Sequence, residues 1–331
     1  MATKLVMGAS GFLGSHVTRL LVERGETVRV FLRETSSTRG IDDLDVERVY
    51  GDLTDAEAVR TAMAEVDDVF YCVVDTRSWL RDPAPLFRTN VEALRGVLEV
   101  AVEAGLHSFV FTSSITTLAR NPERLVTEDD PHNWLKQGGA YVRSRMEAEE
   151  LVLTYARDRG LPAVAMCVSN TYGTGDHQPT PHGSLVKAAS RGKLRWYIRG
   201  AASEVVGIRS AAQAMVLGAE KGRVGERYVV SERYLSMREL HDVAAAEGGQ
   251  PPMKIGVPYA VMYAAGFVGD VLARVLRRDV PLNRSSVRLM KVYTPVDHSK
   301  AERELGWEPA PTPDEIREAV AFYNKKERAR S

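Results

Sequence analysis

Lys4-Leu5-Val6-Met7-Gly8-Ala9-Ser10-Gly11-Phe12-Leu13-Gly14 is the stretch from which the rest of the chain is read. Its first four residues are short and apolar and read as a buried strand. Ser15 to Val22 continues as a helix, with Phe12, Leu13, Val17, Leu20 and Leu21 forming its apolar face. The glycines between them permit a sharp turn and a close approach of backbone to a ligand. The helix start then offers free N–H groups and a positive dipole end to a pyrophosphate. A glycine pattern alone carries little information; placed between a strand and a helix, it reads as a dinucleotide-binding turn.

Working outward, Thr27 to Leu32 alternates as a second strand with Arg33 at its tip, followed by Glu34. In this type of site an acidic residue at about this distance accepts the ribose hydroxyls, whereas an Arg accommodates a 2′-phosphate. Arg33, with Ser36, Ser37 and Arg39 as further donors, favours NADP(H) over NAD(H). Val46 to Tyr50 reads as a third strand, followed by Asp52, which can accept from an adenine amino group; Asp55 reads as a helix cap. Residues 67–74 form a near-continuous apolar fourth strand, as a parallel sheet covered on both faces requires. Trp79 follows as either a loop anchor or a wall of the substrate pocket. Leu86 to Ala104 reads as one long helix carrying Asn90, and Ser108 to Thr112 as a fifth strand running into Ser114. Tyr141 opens a helix to about Asp158, Leu161 to Val168 is a sixth strand, and Glu226 to Val230 returns to the sheet. Met237 to Ala246 and Tyr259 to Leu276 read as helices.

This alternation predicts an α/β protein with a Rossmann-type doubly wound parallel sheet and a smaller C-terminal substrate domain. The expected nucleotide-binding domain covers residues 1–172 plus about 209–232. The substrate domain covers 173–208 and 233–331.

Composition narrows the function classes. Lys+Arg and Asp+Glu each number 44 in the 331 residues, so no charge excess favours nucleic acid or an anionic surface as the main partner. Cys72 and Cys167 are the two cysteines, which fits a reducing, cytoplasmic setting and no cysteine-rich metal site. The first strand begins at once, leaving no room for a signal peptide. The apolar run from Ile255 reads as too short to span a bilayer; covering the substrate pocket is its expected role, and lying on a membrane surface the alternative.

The chemistry centres on Ser114, Tyr141 and Arg145. A phenol acts as acid or base near neutrality beside a positive charge, and Arg145 shares a helix face with Tyr141 one turn along. Ser114, at a strand end, can hydrogen-bond a substrate carbonyl or alcohol oxygen. Spacing alone also allows a packed Tyr141 and a surface Arg145.

With Gly8-x-x-Gly11-x-x-Gly14, Gly51-Asp52-Leu53, Asn90-Val91-Glu92, Thr112-Ser113-Ser114, Tyr141-x-x-x-Arg145, Ala148-Glu149 and the tail Asp297 to Trp307, the chain resembles the extended short-chain dehydrogenase/reductase family. Trp79 to Pro83, Pro179-Thr180-Pro181-x-Gly183, Glu220 to Tyr228 and Pro281 to Val287 are similar to the branch holding dihydroflavonol 4-reductase, 3β-hydroxysteroid dehydrogenase and hopanoid-associated sugar epimerase-like proteins. The resemblance implies that Gly8, Ser10, Gly11, Phe12, Leu13 and Gly14 hold the pyrophosphate, and that Asp52 and Leu53 meet the adenine. Tyr71, Cys72 and Val73 would line the nicotinamide-side ribose, and Ser114 and Tyr141 would be catalytic. Thr112, Val168 and Asn170 join Arg33, Tyr141 and Arg145 in the cofactor-binding set. Trp79, Thr116, Asn170 and Tyr172 are the substrate-side candidates. Arg145 stands where the family carries a lysine: it keeps the charge but releases no proton.

The expected function is therefore an NADP(H)-dependent carbonyl reductase or alcohol dehydrogenase acting on a small or medium, fairly apolar substrate, with no metal. A nucleotide-sugar epimerase is the enzymatic alternative, with Arg191, Lys193, Arg195 and Arg199 as its diphosphate candidates. A nucleotide-binding sensor without turnover is the alternative of another class. Dimerisation is typical of the family.

Overall fold

The computed structural model describes residues 3–290 and 294–328. Residues 1–2, expected in the nucleotide-binding domain, and 291–293 and 329–331, expected in the substrate domain, lie outside the described residues. In chain order the strands are β1 (Thr3–Met7), β2 (Thr27–Leu32), β3 (Glu47–Tyr50), β4 (Asp68–Tyr71), β5 (Ser108–Ser114), β6 (Ala163–Val168), β7 (Asn170–Tyr172), β8 (Trp196–Ile198), β9 (Ala202–Gly207), β10 (Arg227–Val230), β11 (Arg233–Ser236) and β12 (Ile255–Val257). The helices are α1 (Phe12–Glu23), α2 (Ala56–Met63), α3 (Ala84–Phe87), α4 (Ala93–Glu103), α5 (Leu135–Arg159), α6 (Pro181–Ser190), α7 (Ile208–Lys221), α8 (Met237–Glu247), α9 (Tyr259–Leu276), α10 (Arg284–Leu289), α11 (Ser299–Leu305) and α12 (Thr312–Arg328).

A seven-stranded sheet in the order β10-β6-β5-β4-β1-β2-β3 forms the centre, every pairing parallel. Its strands are apolar on both faces because helices cover both. Leu5, Met7, Val69, Tyr71, Phe109 and Phe111 pack with α2, α4 and α5 on one side. Val6, Val30, Phe70, Val110 and Tyr228 pack with α1, α7 and the buried Trp307 on the other. The chain runs outward from β1 to β3, then returns to β4 beside β1 and proceeds the other way. That reversal opens a crevice at the carboxyl ends of β1 and β4, where a doubly wound sheet binds its ligand. Beyond the sheet, α6, α8 and α12 share a third apolar cluster with Tyr172, Val205 and Leu235. Helices α9 and α10 join β8 and β12 around Ile198, Met262 and Val287.

Three elements differ from their sequence reading, each for a local reason. The fourth strand ends at Tyr71 rather than residue 74, because Cys72 N–H makes its bond to Met7 C=O (2.9 Å) and the chain then passes over Gly8. The helix expected from Leu86 to Ala104 is α3, a π-turn over Arg88–Glu92, and α4. Asn90 sits in that turn with its side chain bonded to the Asp75 backbone in both directions, accepting from N–H (2.8 Å) and donating to C=O (3.0 Å); a π-turn commonly marks such a functional tie. The helix expected to open at Tyr141 begins at Leu135, and Gly139, at φ 72°, interrupts it.

Candidate active site

The glycine turn lies at the crevice. Gly8 follows β1 at φ 87°, and a Cβ there would come within 2.9 Å of the Cys72 carbonyl carbon and oxygen. A Cβ on Gly14 would overlap the Gly8 carbonyl oxygen. Both positions therefore hold glycine because backbone meets backbone. Gly11 N–H closes the turn on Gly8 C=O (2.9 Å). Helix α1 has Gly11 as its N-cap, no side-chain cap and no acidic residue in its first turn. Its first N–H groups thus stay available for an anion, beside half-buried Ser10, Phe12 and Leu13.

At the tip of β2, Arg33 is exposed, and its guanidinium makes no ion pair among the described residues. Ser36 Oγ accepts from Arg33 N–H (3.2 Å), forming a tight turn. Asp52 Oδ1 accepts from both the hydroxyl (2.6 Å) and the N–H (2.9 Å) of Thr54. Those bonds, the hydroxyl first, hold its carboxyl below its ordinary range, with a smaller contribution from Arg33. Leu53 packs against the sheet core, and Asp55 caps α2 through the N–H groups of Glu57 and Ala58.

The second half of the site is built by β5 and α5. Ser114 ends β5 and caps a short 3-10 turn. Its Oγ accepts from Thr116 N–H (3.2 Å) and Thr116 Oγ1 (3.0 Å), which leaves its own proton to donate outward. Tyr141 is half-buried two residues beyond the break at Gly139, and its C=O accepts from Ser144 Oγ (2.8 Å). Ser144 Oγ in turn receives Asn90 Nδ2 (3.1 Å). A chain of hydrogen bonds thus runs from the Asp75 backbone through Asn90 and Ser144 to the turn that carries Tyr141.

Arg145 is 1% exposed. Its Nη2 donates to the Thr112 carbonyl, and its guanidinium lies 5.2 Å from the centroid of the Phe111 ring. Its Nε and Nη1 have no hydrogen-bond partner among the described residues. The neighbouring buried carboxylate, Glu149, is engaged by Arg227 from β10 (2.9 Å) and by the hydroxyls of Ser113 and Thr117. The charge of Arg145 is consequently left for a group entering the crevice. Ser169 Oγ and Asn170 Nδ2 at the end of β6 and start of β7, and the hydroxyl of Tyr71, are likewise buried without partners. Burial of unpaired polar atoms is costly, so this set fits a polar ligand such as the nicotinamide-side ribose and amide.

The other candidates are placed as follows. Tyr71 is enclosed between Phe109 and Phe111, and burial raises its phenol against a smaller opposing effect of Arg145. Cys72 and Val73 continue from β4 over Gly8; burial pushes the Cys72 thiol up to about 11. Val168 is buried at the end of β6. Thr116 is buried against Ser114, and Tyr172 belongs to the third apolar cluster. Trp79 is half-buried, and its C=O accepts from Asn283 Nδ2 (3.1 Å), tying its loop to the start of α10. A cleft of about 440 Å³ between α1, α7 and α12, with His16, Arg19 and Arg209 in its wall, contains none of these residues. Among the described residues no group of His, Cys, Asp and Glu could hold a metal ion. Sequence reading gave no role to Ser144 or Arg227, and quoted Asn90 and Glu149 only as motif residues. The signal available for the latter two was a polar residue at a position otherwise facing the helix-covered sheet.

A glycine turn at the switch point of a seven-stranded parallel sheet is the frame of the extended short-chain dehydrogenase/reductase fold. The chain belongs to the NAD dependent epimerase/dehydratase family, whose model matches residues 4–231. It is 30% identical over 326 residues to sterol demethylase protein B of Methylococcus capsulatus, covering 98% of this chain and 99% of the relative. It is 26% identical over 325 residues to a putative dihydroflavonol 4-reductase of Synechocystis, covering 96% and 93% of the two chains. In structure it is similar to dTDP-glucose 4,6-dehydratase from Streptomyces venezuelae with NAD bound, at a TM-score of 0.80 and 21% identity over 99% and 98% of the two chains. These relationships support an NAD(P)-dependent oxidoreductase.

Proposed function

We propose that the protein is an NADP(H)-dependent reductase or dehydrogenase acting on a ketone–alcohol pair in a medium-sized, apolar, ring-bearing substrate. The observation that carries this reading is Arg145: a buried cation with two unpaired nitrogens, one helical turn from Tyr141 and bonded to the strand that ends in Ser114. Gly8 to Gly14 and the N-terminus of α1 would hold the pyrophosphate, Asp52 and Leu53 the adenine side, and Arg145 with Ser169 and Asn170 the nicotinamide side. When bound, the nicotinamide supplies or takes the hydride. In the reducing direction, Ser114 donates a hydrogen bond to the substrate carbonyl oxygen. Tyr141 gives its phenolic proton to the same oxygen as it becomes an alkoxide. Arg145 then stabilises the phenolate left behind. Oxidation runs the same transfers in reverse. The ring-bearing substrate is supported by the two relatives, sterol demethylase protein B and the putative dihydroflavonol 4-reductase.

The test is a panel of cyclic ketones, 3-hydroxysteroids, aldehydes and sugar nucleotides, followed by nicotinamide absorbance with both cofactors. Turnover of an apolar ketone or alcohol is expected. Tight binding of both cofactors with no turnover on any substrate would move the assignment to a nucleotide sensor.

Cofactor choice is separately testable. An unpaired Arg33 at the tip of β2 can meet a 2′-phosphate, a charge-assisted contact. NADPH is expected to bind about tenfold more tightly than NADH, a difference of about 1.4 kcal/mol, and Arg33→Ala to remove most of it. Equal affinities in the unmodified protein, measured by fluorescence titration, would remove the NADP(H) assignment.

A further inference from the structure

Helix α9 carries three stripes. Met262, Gly266, Gly269 and Ala273 are buried. The two glycines are required because the chain at residues 282–284 crosses directly over them: a Cβ on Gly266 would lie 3.0 Å from the Arg284 nitrogen, and one on Gly269 would overlap the Leu282 carbonyl oxygen. Tyr263, Asp270 and Arg274 follow one edge. There Asp270 pairs with Arg284, and the Tyr263 hydroxyl accepts from Arg288 (3.0 Å). The third stripe, Val261, Phe267, Val268, Val271, Leu272, Val275 and Leu276, points outward, with exposures from 43% at Val271 to 72% at Val275. At about 100° per residue it occupies roughly half the circumference. It runs for on the order of 24 Å along the axis. Isolated exposed apolar residues are ordinary; a continuous face of this size marks an interaction surface.

The charges around the stripe identify what it meets. Arg274, Arg277 and Arg278 are exposed at the C-terminal end of α9, and none makes an ion pair among the described residues. The nearby carboxylates are already engaged: Asp270 by Arg284, and Asp279 by the Arg81 N–H (2.9 Å). The face is therefore apolar along its length and cationic at one end, which is complementary to anionic headgroups over a hydrocarbon layer.

We propose that α9 docks the protein on an anionic lipid bilayer. The helix lies along the surface, with its outer stripe at the headgroup–acyl boundary and the three arginines on the phosphates. By length and composition, and contrary to its reading from sequence, α9 could cross a membrane, but its buried stripe is held by residues 282–284, and its Asp270 is tied to Arg284 within the helix span. A surface position satisfies both. Helix α10 connects this face to the site, since Leu289 packs in the same small cluster as Trp134 and Tyr141. A docked bilayer thus lies beside the Tyr141 side of the crevice.

The experiment is co-sedimentation with vesicles of phosphatidylcholine alone and of phosphatidylcholine with about a third phosphatidylglycerol. The unmodified protein is expected to partition onto the mixed vesicles at least tenfold more strongly than onto the neutral ones, less so as salt is raised. Val268→Glu with Val271→Glu should weaken partitioning at least tenfold. Arg274→Gln, Arg277→Gln and Arg278→Gln together should weaken it about a hundredfold. All five positions are exposed, so cofactor affinity and the unfolding midpoint should not change, which shows that the variants are folded. Absence of partitioning onto either vesicle, or equal partitioning of the unmodified protein and the variants, would overturn the proposal. A dimer in solution that Val268→Glu with Val271→Glu dissociates, with no vesicle binding, would assign the face to a second copy of the chain.

Discussion

Tyr141→Phe is expected to lower turnover by about 10²–10⁴-fold, the range associated with a positioned general acid–base group, while cofactor affinity stays nearly constant. The change removes one oxygen atom. The Tyr141 hydroxyl makes no hydrogen bond to protein among the described residues. The turn that positions it is held through its backbone carbonyl by Ser144 and Asn90, which the substitution leaves in place. The unfolding midpoint should therefore shift little, and the loss should appear in kcat. Arg145→Lys is the informative companion. Lysine keeps the positive charge but not the planar fork that donates to the Thr112 carbonyl while lying against Phe111. It also restores a group that can pass on a proton. Cofactor affinity should be nearly unchanged, and turnover kept or raised. Full activity in Tyr141→Phe would remove the catalytic assignment; the measurement is steady-state kinetics beside a cofactor titration.

Arg227→Met is expected to give the largest loss of stability, about 3–5 kcal/mol, the cost of leaving one member of a buried ion pair uncompensated. Against a total that is commonly about 5–15 kcal/mol, this is a severe change. Glu149 is 4% exposed on the face of α5 that meets β5 and β6, with Arg227 as its cationic partner at 2.9 Å. Arg227 also donates to the Glu128 carbonyl (2.9 Å) and to the Thr117 hydroxyl (3.2 Å). Removing it strands a carboxylate behind Ser113 and Ser114. Pairing Arg227→Met with Glu149→Leu should cost less than the sum of the two single changes, because the second substitution removes the stranded charge. Denaturant unfolding of the four proteins measures this. Additive costs would mean that the two side chains are not energetically coupled.

Much of the fold was legible because its signals are local. The apolar run before Gly8, the helix after it and the alternation of strands and helices through β6 each arise within a few residues, and all reappear at nearly the read positions. Family membership followed from the same local motifs. The misread elements are those in which a distant group overrides a local pattern. Asn90 bonds the Asp75 backbone and turns an apparently continuous helix into a π-turn. The helix read from Tyr141 begins earlier, at Leu135, after Trp134 has buried its ring and donated Nε1–H to the Leu118 carbonyl (2.9 Å).

By itself, then, the sequence determined that a parallel doubly wound sheet would form and where its ligand crevice would open, because strand period, helix period and glycine turns are properties of contiguous residues. It also placed Tyr141 and Arg145 on one helix face. Only the tertiary structure decided which cation neutralises Glu149. Either Arg145, one turn away, or a residue from a distant strand satisfies the pattern, and the packing of β10 against β6 selects Arg227. That selection leaves Arg145 unpaired in the crevice. The tertiary structure also decided the character of α9. An apolar stripe reads the same whether it is covered or bare, and it is the crossing of residues 282–284 over the glycine face that turns the valines, leucines and phenylalanine outward.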